Sequence, residues 1–182
     1  MANRTLLLAL DSTDPPAELD GMHPVDALLA ANYSVPILWL SLFDVDDLVT
    51  WPGSSDSSPF TTVARIRSTC IERSRTRVDN WSRWWPDVFQ DMSERWLGYI
   101  GAGEKPILAV WTEELSEMTG DEQWADDLRA YLSGLDHPGS AGFRKALAQS
   151  YLDLTEKGLE PIGAVGLVTA GYAWGRPAPW VP

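Results

Sequence analysis

Two aspartates one residue apart, Asp44 and Asp46, follow an apolar run in PILWLSLFDVDDLVTW. Such a pair is either a catalytic set that attacks phosphate or an acidic helix end. If Pro36–Phe43 is helical, Asp44, Asp46 and Asp47 lie past its C-terminal end, where anions are disfavoured and cationic partners are needed. Those partners are close in sequence. No Lys or Arg lies between Thr5 and Ala64, while nine acids do; then Arg65, Arg67, Arg73, Arg75, Arg77 and Arg83 fall within nineteen residues. At about 100° per residue Val63, Ile66, Cys70, Val78, Trp81 and Trp85 share one helix face. Arg65, Arg75 and Arg83 project away from it, Arg67 and Arg77 fall inside the apolar arc, and Arg73 lies at its edge. A buried guanidinium must be paired, so Arg67 and Arg77 are expected to knit the acidic N-terminal third to the rest. The sharper alternative is an anion site, with Arg73 and Arg77 as a bidentate clamp four residues apart.

Asp-x-Asp after an apolar strand is the nucleophile signature of haloacid dehalogenase-like phosphatases, and FDVDDL resembles their first motif. The resemblance implies that Asp44 attacks phosphorus, that Asp46 acts as general acid–base, and that Mg²⁺ between them neutralises the phosphoryl charge. Lys105 and Gly120-Asp121…Asp126 stand for that family's later lysine and acids. The chain departs from the pattern at three places. Leu48 replaces the phosphate-holding threonine, Gly120-Asp121 follows EELSEMT instead of an apolar strand, and arginine-rich sequence replaces a Ser/Thr-tipped strand. This reading requires Pro36–Phe43 to be a central parallel strand.

Other chemistry is sparse. His23 and His137 are the only histidines, each beside a proline, and no His/Cys spacing suits zinc. No Gly-x-Ser-x-Gly elbow occurs, and PGSAGFRK (Pro138–Lys145) lacks the Lys-Ser/Thr of a phosphate loop. No metal or cofactor is expected. Glu113, Glu114, Glu117, Asp121, Glu122, Asp126 and Asp127 form a dense acidic run without a calcium-loop pattern. Its functional reading is a docking patch for a basic protein, steered by long-range charge, with Trp124 as an exposed aromatic contact.

The elements that must position these residues follow from composition and pattern. A chain of 182 residues favours one domain, expected over 1–182. A net charge of −12 argues against nucleic-acid partners and anionic membranes, and suits a basic protein partner. Lone Cys70 makes no internal disulfide, and no signal-peptide pattern opens the chain, so a cytoplasmic location is expected. Ten tryptophans lead us to expect some on the surface. PGSSDSSP (Pro52–Pro59) reads as a flexible loop between an acidic N-terminal part and a helical remainder. Thr5–Leu10 and Pro106–Trp111 read as strands, and Ile162–Trp174 as a bulged strand. Helical patterns are expected over His23–Ala31, after Ser34-Val-Pro36 with Ser34 as cap, and from Ser58-Pro59 to Pro86. Further helices are expected through Phe89–Ile100, at Asp121–Leu132 and at Ala141–Lys157. The sum is an α+β fold, helix-dominated, with a small sheet of about three strands.

MANRTLLLAL followed by ANYSVPILWLSLF resembles small uncharacterised bacterial proteins that begin Met-Ala-Asn-Arg, continue with an apolar strand and then carry a Pro-led apolar helix. The resemblance covers roughly the first fifty residues. It implies a bacterial cytosolic α+β domain and transfers no catalytic residue. With no complete catalytic set, a small acidic chain of this profile is expected to be a non-enzymatic immunity- or antitoxin-like inhibitor of a basic partner.

Overall fold

A computed structural model describes residues 4–16, 27–54, 57–81, 87–150 and 172–173. Its order is β1 (Arg4–Leu10), β2 (Ala27–Asn32), α1 (Ile37–Ser41), a 3-10 turn (Val45–Asp47), β3 (Leu48–Trp51) and β4 (Phe60–Ile66). Then come α2 (Arg67–Trp81), α3 (Asp87–Gly101), β5 (Ile107–Trp111), α4 (Glu113–Thr119), α5 (Asp121–Gly134), α6 (Ala141–Ser150) and β6 (Tyr172–Ala173). The strands form one sheet in the order β3-β4-β5-β1-β2-β6, and each adjacent pair runs antiparallel.

β1 and β5 are central and buried on both faces, which is why TLLLAL and ILAVW read as continuous apolar runs without alternation. The pleat still sorts them. Leu7, Ala9, Leu108 and Val110 face the helices, in a core with Trp39, Phe43, Trp81, Trp96 and Leu132. Leu6, Leu8, Leu10, Ile107 and Ala109 pack on the opposite face with Trp51, Phe60 and Ala64. There Trp111 stacks edge-on against Phe60, with ring centroids 4.8 Å apart. All five residues of α1 are buried, so this short helix has no polar face and carried no helical periodicity.

The α+β class holds, but six strands replace the expected three. Ala27–Ala31 is strand, not helix. Ser34 does not cap α1. The cap position is Pro36, without a side-chain bond, while the Ser34 carbonyl accepts the Thr5 hydroxyl. Val63 and Ile66 belong to β4, and the helix starts only at Arg67. Phe60–Val63 pair with β3 on one side and Val63–Ile66 pair with β5 on the other, and this overrides the helical spacing. PGSSDSSP connects two paired strands, with Trp51 opposite Phe60. It therefore links the two strands of an antiparallel pair. Of the expected Ala141–Lys157 helix, α6 accounts for Ala141–Ser150, and of Ile162–Trp174, β6 accounts for Tyr172–Ala173. The remainders lie outside the described residues, as do His23, Arg83 and Trp85.

Helices α5 and α6 meet backbone to backbone. A Cβ at Gly134 would stand 2.3 Å from the Phe143 nitrogen, and one at Gly142 would stand 2.5 Å from the Ala130 oxygen. The contact lets Phe143 reach Trp81 edge-on at 5.4 Å.

Cys70 lies on the buried face of α2. Burial, and then the Asp47 carboxylate, push its thiol up from 9.0 to about 12. Native protein is therefore expected to react with a maleimide only on unfolding, at the global unfolding rate. Fast labelling of the folded chain would contradict this burial. The sign of the linkage is set by the native thiol holding its proton. Its contribution to stability is complete below pH 9 and is lost as pH rises towards about 12.

Candidate functional site

The chemistry-bearing residues converge where α1 ends. After Ser41 the chain enters the 3-10 turn through Asp44, whose side chain accepts the Val45 N–H at 2.8 Å. Asp47 reaches back to accept the Asp44 N–H at 2.8 Å, closing a capping box. Asp47 is buried and Asp46 is exposed.

Three arginines close over this turn. Arg73 donates to Asp47 Oδ2, and Arg65 Nε lies 3.4 Å from Asp47 Oδ1. Arg77, 1% exposed, makes a bidentate pair with Asp136, Nε to Oδ1 at 2.7 Å and Nη2 to Oδ2 at 3.0 Å. Its Nη1 donates to the Ser41 carbonyl at 3.2 Å and also to that of Phe43. It thereby satisfies carbonyls that the end of α1 leaves open. Asp44 Oδ2 sits 3.8 Å from Arg73 and 3.7 Å from Arg77. The Arg77 hydrogen bonds, and behind them the charges of Arg77, His137 and Arg73, hold the Asp136 carboxyl below its usual range, against the opposing effect of its own burial.

The expected pairing of Arg77 is present, and its acidic partners come from two directions. Asp44 belongs to the N-terminal third, whereas Asp136 lies past the end of α5. Arg67 behaves differently. It donates from Nε to the Lys105 carbonyl at 2.7 Å and from Nη1 to the Ile100 carbonyl at 2.6 Å. It caps the end of α3 and does not bridge to the acidic third. Gly103 leaves room for it, since a Cβ there would stand 2.1 Å from Arg67 Nη1.

This arrangement ties the end of α1 to α2 and to the residues after α5. Asp44 and Asp46 sit on a 3-10 turn, Pro36–Phe43 contains a helix, and among the described residues every strand pair is antiparallel. The strand that the phosphatase reading requires is absent. Lys105 pairs with Asp11 at 3.4 Å, and Gly120-Asp121 joins two helices. Among the described residues no group of three or more His, Cys, Asp or Glu side chains is placed to hold a metal ion. Arg73 and Arg77 do come together, but they close on the chain's own Asp44, Asp47 and Asp136, so the cluster is neutralised from within.

The acidic run divides between interior and surface. Glu113 is buried and accepts the Ser54 N–H. Trp124 is 3% exposed, with its indole N–H on the Thr61 carbonyl at 3.0 Å. Neither can meet a partner as expected from sequence. The signal for Trp124 was present in its spacing to Leu128, Tyr131 and Leu132, which are buried on the same face of α5. The expected surface tryptophans are also missing among the described residues: Trp39, Trp51, Trp81, Trp96 and Trp124 are buried, and Trp111 is half-buried. Asp121 accepts the Ser116 hydroxyl at 2.6 Å, and Glu117 accepts that of Ser57. Glu117, Glu122 and Asp126 are exposed, and Glu114, Asp121 and Asp127 are half-buried. Among them stands Met118, 57% exposed, which the sequence reading did not single out.

In comparisons with protein-family models, with curated proteins and with solved structures, the chain matches none of them.

Proposed function

We propose that this chain is a non-enzymatic binding protein, an immunity- or antitoxin-like inhibitor that neutralises a basic protein such as a toxin. The contact surface is the outer side of α4 and α5. One observation carries the reading: an exposed acidic ridge with an exposed apolar side chain within it. Glu114, Glu117 and Met118 fall at i, i+3 and i+4 on α4, and Glu122 and Asp126 at i and i+4 on α5, so each set shares a helix face. Charge of this density speeds encounter with a cationic surface, and Met118 offers an adaptable apolar contact. The chain's −12 charge acts in the same direction and against nucleic acid. A cytoplasmic site of action belongs to the same proposal. Among the described residues no helix is long and apolar enough to cross a membrane.

The test is capture from the protein's own cells, with wild type and a Glu117→Lys/Glu122→Lys/Asp126→Lys variant purified in parallel. Wild type is expected to retain a basic protein in stoichiometric amount, and the variant to lose it while keeping the wild-type circular dichroism spectrum. A partner retained equally by both, or no basic partner with either, would contradict the proposal.

A further inference from the structure

We draw no further inference here: the strongest candidate, the cluster of Arg65, Arg73 and Arg77 beside the end of α1, is taken up by the chain's own Asp44, Asp47 and Asp136 and belongs to the site already described.

Discussion

Replacing Gly134 with alanine is expected to destabilise the protein by about 3 kcal/mol, the upper part of the range for overpacking a closed contact. The added methyl would meet the Phe143 nitrogen at 2.3 Å and the Gly142 carbonyl carbon at 2.4 Å. These are backbone atoms of α6, which no rotamer change can move aside. Relief requires α6 to shift as a body, and with it Phe143, whose ring packs on Trp81. In urea denaturation the midpoint should fall with the slope unchanged. Gly98 is the matched control, because nothing lies within 4 Å of a Cβ built there. Gly98→Ala should be neutral or stabilising, since alanine is the better helix former by about 1 kcal/mol. Equal effects at the two positions would mean that α5 and α6 do not touch as described.

Arg77→Met is expected to cost about 3 kcal/mol, the lower end for breaking a buried ion pair. The low end applies because the Asp136 side chain is 56% exposed and can turn to water once its partner is gone. What water does not repair is the end of α1, where the Ser41 and Phe43 carbonyls lose their shared donor. Asp136→Asn should cost less than Arg77→Met, because it leaves those two bonds in place. The effect of Asp136→Asn should also depend on pH. A carboxyl held below its ordinary 3.8 stabilises the fold above that value, and the contribution disappears as pH falls through the lowered value. The wild-type advantage over Asp136→Asn is therefore full near neutrality and vanishes in strong acid. A cycle with no coupling between the two sites, or an advantage that persists in acid, would refute the pairing.

The sequence was most informative where one physical constraint dominated. β1 and β5 were recognisable as apolar runs because central strands are buried on both faces. Arg77 was recognisable because a charge on an apolar helix face must find partners; that Asp136 was one of them was hidden by a sequence separation of 59. The six-stranded sheet was underestimated for a different reason. Val63, Ile66 and Cys70 keep helical spacing across the junction of β4 and α2, so one periodic pattern spanned two elements. The decisive fact, that β4 lies between β3 and β5, is non-local. At the ridge, residue types indicated charge but not exposure. Glu113 and Glu114 are adjacent and chemically equal, yet Glu113 is buried and accepts the Ser54 N–H of the β3–β4 loop while Glu114 is half-buried.

In the proposed function the acidic ridge on α4 and α5 steers a basic partner, and the association rate reads that steering directly. Stopped-flow mixing of the captured partner with wild type and with the Glu117→Lys/Glu122→Lys/Asp126→Lys variant should give a rate constant at least about tenfold lower for the variant at low salt. The two rates should converge as salt screens the charges. Equal association rates at low salt, or a difference that does not shrink as salt is raised, would contradict steering by this ridge and place the contact elsewhere on the molecule.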